Sequence, residues 1–413
     1  MISDILIFED EHFNRLYPLS LTRPVYLLRC GIDLLFEKIA RRYPHARVHF
    51  FCRNYLAPVL REQFPTISVN QIDFDSCLFI NGRFIPAGEL PQLTEENLVW
   101  RCNNEVVAAF LSGEHLQQVR QTADGIIRQE IFRDLPTREL QGTLLSYPWD
   151  LVHQNAEQIT NDFSHLNAGG QILGKIYPNA TLLNEKSIFI GEGAKIKPGV
   201  VLDAEDGPIY IGAGSTIMEN AVLQGPCFVG ENSVIKIGAK IYHGTSIGER
   251  CKVGGEVEAS IIHSFSNKQH EGFLGHSYLG QWVNLGADTN NSDLKNNYSS
   301  VKVYVDGEMV DTGLTFVGLT MGDHAKCGIN TMFNTGSVVG VMSNVFGAGF
   351  TPKFIPSFVW GGIEKMEVYD CDKALETARR VMKRRNLEMS VAQERMLREV
   401  FAITERERAV VER

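Results

Sequence analysis

Long apolar runs are missing from this 413-residue chain. No stretch approaches the ~20 consecutive apolar residues that cross a bilayer. The N-terminus MISDILIFEDEH has neither the basic start nor the apolar centre of a secretory leader. A basic excess is missing too: 40 Lys and Arg stand against 49 Asp and Glu, for a formal net charge of −9. No cationic surplus exists for non-specific nucleic-acid binding, and any phosphate site must be local. The eight cysteines (Cys30, Cys52, Cys77, Cys102, Cys227, Cys251, Cys327 and Cys371) show no CxxC or other metal-ligand spacing. They read as reduced core thiols of a cytoplasmic protein. What remains is ordinary for a globular chain of two or three domains, 44% hydrophobic and 22% charged.

Three segments follow from the pattern. Over residues 1–160, apolar runs (ILIF from Ile5, VHFFC from Val48, CLFING from Cys77) alternate with helix-like stretches such as GIDLLFEKIARRY from Gly31. This predicts an α/β, Rossmann-like domain whose function lies in the strand-end loops. Ile32, Leu35, Phe36 and Ile39 fall at helical spacing and predict one buried stripe. The polar, Gly-containing stretch from Asn161 to Gln171 predicts the boundary. In the second segment, residues 172–360, Ile211, Ile217, Leu223, Val229, Ile235, Ile241, Ile247 and Val253 fill eight successive positions at a period of six. Chance would give that on the order of once in 10⁵ registers. Such a period predicts a parallel β-helix: each hexapeptide gives one short strand and one corner, the aliphatic residue points inward, and three repeats make a coil. Ile190, Ile196 and Leu202 precede the run, Leu279 and Leu285 fit it, and Met321, Cys327, Phe333, Val339 and Val345 resume it. The interruption GADTNNSDLKNNYSSVKVYVDGEMV contains an Asp306-Gly307 hairpin turn and should project from the solenoid. The third segment, 370–413, predicts helices, with Ser390 and Gln393 in capping-box spacing, that cap the solenoid or pack on a neighbouring subunit.

Several passages resemble one family. RLYPLSLTRPV (Arg15 to Val25) resembles the R-L-x-P-L-T…P-K signature of sugar-phosphate nucleotidyltransferases. YPWDLVHQN (Tyr147 to Asn155) is similar to the P-W-D-L-L-x-x-N segment that closes that domain in archaeal members. GFLGHSYLGQWVNLGADT (Gly272 to Thr289) is similar to a stretch of the bifunctional N-acetylglucosamine-1-phosphate uridylyltransferase/glucosamine-1-phosphate acetyltransferase. Over about residues 1 to 350 the chain looks like the divergent, Bacteroidetes-type branch of that family. The resemblance implies a left-handed β-helix, transfer of a nucleotide to a sugar 1-phosphate from a nucleoside triphosphate with Mg²⁺, acyl transfer from acetyl-CoA or another acyl-CoA, and a homotrimer working in nucleotide-sugar supply for the cell wall. It implies no membrane or nucleic-acid partner.

Carried over residue by residue, the resemblance assigns Arg15 and Arg23 to phosphate, with Arg29 and Arg83 able to converge on the same anion. The loop that is glycine-rich in the family reads FEDEHFNR here, and Arg83 of FINGRF stands where a metal-binding Asp is usual. The second metal Asp falls at Leu144. Asp150 remains as a metal candidate beside Glu9, Asp10 and Glu11, although it reads equally as a helix N-cap. Arg15 reads alternatively as a surface ion-pair partner. In the acyl domain His276 corresponds to the catalytic base, with one residue rather than two between it and Tyr278, and Lys268 and His270 are substitutes. Asp293 would orient His276, or else serve an Asx turn, and Lys295 lies near a phosphate Lys. Tyr278 and Asn284 are assigned to sugar, and Ala287, Gly328, Asn330 and Thr335 to acyl-CoA. Tyr242 replaces the family's sugar-phosphate Arg, so the acceptor pocket is altered. Two other readings stay open: a ligand-binding or scaffolding trimer with a degenerate N-terminal site, and a nucleotidyltransferase whose β-helix serves oligomerisation and sensing.

Overall fold

The computed structural model describes residues 2–91, 97–362 and 364–409. In the N-terminal domain the apolar runs form a seven-stranded sheet, in the order Ser68–Val69, Arg47–Phe51, Asp4–Phe8, Ser76–Asn81, Glu105–Ser112, Leu98–Cys102, Thr137–Glu139. Its first four strands are parallel, and Asp4–Phe8 is buried along its whole length, as a central parallel strand should be. Phe8 pairs with Asn81, so the chain leaves both strands side by side. That register brings Glu9 and Asp10 next to Asn81 and Arg83. The predicted first helix is shorter than its apolar spacing suggested. It spans Leu35–Ala40, because the Ile32 backbone N–H is taken by the Asp162 carboxylate at 2.9 Å before the helix begins.

Residues from Lys175 onward wind as a left-handed parallel β-helix with three faces. The first face begins with Lys175–Ile176, the second with Thr181–Leu183 and the third with Ile188–Ile190. Strands pair in parallel one coil on: Cys227 with Thr245, Thr216 with Val234, Val222 with Lys240. The period-six aliphatics point inward, and Ile211, Ile217, Leu223, Val229, Ile235, Ile247 and Val253 are all fully buried. Each such side chain contributes roughly 1.5–3 kcal/mol. On the first face the inward ladder Ile196, Ile217, Ile235, Val253 passes next to Lys268, a lysine inside the solenoid. The interruption is extruded between Leu294 and Phe316, which bridge antiparallel at its base. It folds back as the hairpin Lys302–Val305 and Glu308–Asp311, turned at Asp306 and Gly307 with φ of 41° and 99°.

The three segments are not separate beads. One helix, Pro148–Leu166, runs through the first half of the expected boundary and ends on a left-handed Asn167. It lies between domains. Its buried Asn155 accepts from the Gly31 N–H at 2.7 Å and donates to the Gly244 carbonyl of the β-helix at 2.7 Å. A single apolar cluster joins Ile7 and Leu28 of the sheet domain, Tyr278, Val341 and Phe358 of the solenoid, and Leu375, Leu397 and Val400 of the C-terminal helices. Those helices, Cys371–Lys383 and Val391–Ile403, pack within their own chain; Ser390 and Gln393 form the expected capping box. Among the described residues no helix is long and apolar enough to cross a membrane, and all eight cysteines are free thiols.

Candidate functional site

The corner between the second and third faces carries a histidine paired with a carboxylate. Strand Phe273–Gly275 ends on the second face and Tyr278–Leu279 begins on the third. His276 lies between them with φ of 43°. A non-glycine residue held in that region is unusual. Because it occupies a corner, its direction is set by the turn and not by strand alternation, so the short spacing to Tyr278 does not reverse it. The Nδ1 of His276 is 2.8 Å from the Asp293 carboxylate, which sits at the same corner one coil on. A carboxylate only accepts, so Nδ1 carries the proton and Nε2 keeps its lone pair. Both side chains are largely but not wholly covered, at 17% and 13% exposure. An oriented imidazole with a free Nε2 can take a proton from an incoming nucleophile.

Two further rings complete this corner, and neither was singled out from sequence. The Phe316 ring stacks on His276 with centroids 5.0 Å apart. The His153 ring, carried by the helix Pro148–Leu166, lies 5.8 Å from His276. His153 Nε2 is 2.9 Å from the Phe316 carbonyl oxygen, so Nε2 bears its proton. Desolvation holds the His153 imidazole below its usual pKa, the nearby His276 ring acting in the same direction. One helical turn earlier, Trp149 buries against Val301, Val303 and Val305 of the extruded hairpin, so this helix also braces the insertion.

The other acyl-site expectations divide. Thr335 occupies the same corner in a later coil, between Met332–Phe333 and Val338–Val339. Ala287, Gly328 and Asn330 lie at the opposite end of the second face, where the Asn330 N–H donates to the Ala287 carbonyl at 2.8 Å. Asn284 is on the first face, beside Asn267 at 3.4 Å. Lys295 folds onto its own loop, donating to Ser299 Oγ at 3.3 Å and to the Ser300 carbonyl. Tyr278 differs most from expectation. It is fully buried, and its hydroxyl accepts from the Arg29 N–H at 2.9 Å and donates to the Arg29 carbonyl at 3.2 Å, so it docks the domains and faces no sugar. Of the substitute bases, His270 is exposed, while Lys268 is buried and donates to the Gly254 and His270 carbonyls at 3.0 and 2.9 Å.

At the strand ends of the N-terminal domain the four arginines do not converge. Arg23 is buried against the β-helix, paired with Asp323, which also accepts from Thr22 Oγ1 at 2.7 Å. Arg29 donates to the Ile32 carbonyl, reaches Glu249 at 3.4 Å and lies over the Phe228 ring at 5.1 Å. Both are docking residues, because their partners belong to the solenoid. Arg83 is fully buried; its Nε donates to Asp10 at 3.0 Å, one Nη to Glu105 at 3.1 Å and the other to the Leu145 carbonyl at 2.7 Å. Arg15 approaches the same Glu105 at 4.0 Å and is the half-buried member of the four. Burial pushes the Asp10 carboxyl up, but the Arg83 guanidinium outweighs it and holds it below the usual range. Glu9 is likewise consumed: Arg53 grips both its oxygens at 2.9 Å, and the Val25 N–H donates to it at 3.0 Å.

Residues 5–171 match the sugar nucleotidyl transferase family. That match covers the N-terminal domain. Its curated relatives include the bifunctional sugar-1-phosphate nucleotidylyltransferase/acetyltransferase of Sulfurisphaera tokodaii, 29% identical over 201 residues, or 48% of this chain and 43% of that protein. They also include the bifunctional protein GlmU of Methanocaldococcus jannaschii, 32% identical over 205 residues, or 47% of this chain and 40% of that one. The matches thus span less than half of those relatives. A solved UDP-N-acetylglucosamine acyltransferase from Campylobacter jejuni covers 54% of this chain and 95% of its own at 14% identity, with a TM-score of 0.27.

Magnesium does not fit the N-terminal domain's acidic positions. Asp150 sits at the third position of its helix, and one of its oxygens accepts from the Ser146 and Tyr147 N–H groups at 2.7 and 2.9 Å. It is a helix cap. Asp10 and Glu9 are neutralised by buried guanidinium groups. No group of three or more His, Cys, Asp or Glu among the described residues could hold a metal ion.

Proposed function

We propose that the chain is a bifunctional transferase of nucleotide-sugar biosynthesis, joining a nucleotidyltransferase domain for a sugar 1-phosphate and a nucleoside triphosphate to an acyl-CoA-dependent acyltransferase. The observation that carries the acyl half is the His276–Asp293 pair at a solenoid corner, 2.8 Å apart, with Nε2 free as base. In this reading Nε2 removes the proton from the acceptor's amine as its nitrogen attacks the thioester carbonyl, and the CoA thiolate leaves and is protonated. The names of the relatives support the same pairing of activities. Exposed Ile237, Ile329 and Phe346 along the corner between the first and second faces, with Phe350 beside them, suit burial against further copies, so the reading includes a homotrimer. The context is a cytoplasmic one.

The test incubates the protein with hexose 1-phosphates and nucleoside triphosphates, then with amino-sugar phosphates and acetyl-CoA, following pyrophosphate and CoA. His276→Ala should lower CoA release by roughly 10²–10⁴-fold without changing oligomeric mass. Turnover in neither panel sinks the reading. A second reading of the N-terminal half, a binding module without chemistry, is favoured by one observation: Arg83 occupies Asp10 where catalysis would want a cation-binding carboxylate. CoA release without pyrophosphate release selects it.

A further inference from the structure

His153 belongs to the N-terminal domain by sequence and to the acyl corner by position. Its Nε2–H donates to the carbonyl of Phe316 at 2.9 Å, at the base of the extruded insertion where Leu294 and Phe316 bridge. Phe316 in turn stacks on His276, and His276 is held from its other nitrogen by Asp293. The imidazole that would act as base is therefore fixed by a carboxylate on the solenoid and by two rings, one of which arrives from another domain. Trp149, four residues earlier on the same helix face, anchors the hairpin side of the insertion. The ionisable groups around His153 are Asp150 on its own helix and His276 on the solenoid, with Asp293 behind the latter.

We infer that His153 is a positioning residue of the acyl-transfer site, holding Phe316 through its carbonyl so that the Phe316 ring keeps His276 Nε2 aimed at the acceptor amine. The inference rests on the acyltransferase reading above. It goes further in making the site composite: the helix that closes the nucleotidyltransferase domain supplies part of the wall that orients the base. An imidazole that stays neutral near pH 7 suits this role, because a second positive ring beside His276 would oppose its taking a proton.

The test compares His153→Ala with His153→Gln in the full chain, measuring CoA release at varied acyl-CoA and acceptor. Glutamine retains an N–H that can reach the Phe316 carbonyl. His153→Ala should lower kcat by roughly 10–100-fold, the usual loss when a partner that orients a working ligand or base is removed, with the acyl-CoA KM unchanged. His153→Gln should recover most of that loss. In an Asp293→Asn background, where His276 is already misoriented, His153→Ala should cost less than it does alone. Equal rates for the unsubstituted protein and His153→Ala, or equal losses in Ala and Gln, overturn the inference and leave the acyltransferase reading standing. No CoA release from the unsubstituted protein overturns both.

Discussion

Replacing Asp323 tests directly whether Arg23 is a docking residue or a phosphate ligand. The pair is buried, each side chain about 6% exposed, and Asp323 also accepts from Thr22 Oγ1 at 2.7 Å and the Gln281 N–H at 2.8 Å. Asp323→Ala leaves a guanidinium in an interface with no carboxylate and strands two more donors. Removing one partner of a buried pair costs about 3–5 kcal/mol. Arg23→Met is milder, because Asp323 keeps two donors; about 1–3 kcal/mol follows for the lost charge-assisted bond. The double variant Arg23→Met/Asp323→Leu removes both charges and should lose less than the sum of the singles, by about 2 kcal/mol, since contacting residues couple by 0.5–3 kcal/mol. Urea unfolding followed by tryptophan fluorescence measures this, and Trp282 lines the same junction as Arg23 and Asp323. Singles that each cost under about 1 kcal/mol and add independently would mean an ordinary exposed pair. Loss of triphosphate binding in Arg23→Met with unchanged stability would return the residue to the phosphate role and refute the docking argument.

Three more outcomes follow from particular side chains. Burial pushes the Lys268 ammonium down to about 8 from 10.5. The folded chain therefore releases this proton before the unfolded chain does, and stability should rise by up to about 3 kcal/mol between those pH values. In Lys268→Met that rise should vanish from the pH dependence of the urea midpoint; its persistence would locate it elsewhere. Tyr278→Phe deprives the buried Arg29 N–H and carbonyl of their hydroxyl partner and should cost about 1–3 kcal/mol of stability, with no change in sugar KM; the reverse pattern would make Tyr278 a sugar ligand. Magnesium at ten times a dissociation constant would add about 1.4 kcal/mol through mass action. Because Asp10, Glu9 and Asp150 are all engaged, and Glu11, whose Oε1 accepts from the Gln129 N–H at 3.3 Å, belongs to no group of three ligating side chains among the described residues, neither magnesium nor a chelator should move the melting temperature of the ligand-free protein.

The solenoid was legible because its signal is local. A residue every six positions must face inward whatever the distant chain does. The hairpin at Asp306-Gly307 was legible for the same reason. Lys268 falls outside the count of six, because it follows Val253 by fifteen residues and only the pairing of the two strands puts it inside. The arginines were not: Arg23 meets Asp323 across 300 positions of sequence and Arg29 meets Tyr278 across 249, and such contacts leave no spacing to read. Viewed alone, four arginines near strand ends of an acidic chain look like an anion site. Asp150 could be read either way, and its place at the third position of the helix that starts at Pro148, with the Ser146 and Tyr147 N–H groups on one oxygen, decided for the cap. His153 lay within the quoted YPWDLVHQN passage, and its i, i+4 relation to Trp149 put both on one helix face. Only the position of the insertion revealed what that face meets.

That face gives the two halves a physical link. Arg83 donates to the Leu145 carbonyl just before the turn whose N–H groups are held by Asp150; the helix then delivers Trp149 to the hairpin and His153 to Phe316. Asp10 and Arg83 are thus joined to the His276 corner through one continuous helix. The opposite influence runs through the shared core, where Tyr278 and Phe358 of the solenoid pack among the sheet domain's side chains. Cutting the chain near residue 171 would therefore do more than separate two domains. It would strip the third face of its cover, expose Tyr278 and Ile261, and remove His153 from its place beside Phe316 and His276. A β-helix fragment with its repeats intact should still coil, since its inward ladder is local, yet lack the His153–Phe316 contact that, on the proposed reading, orients His276 for acyl transfer.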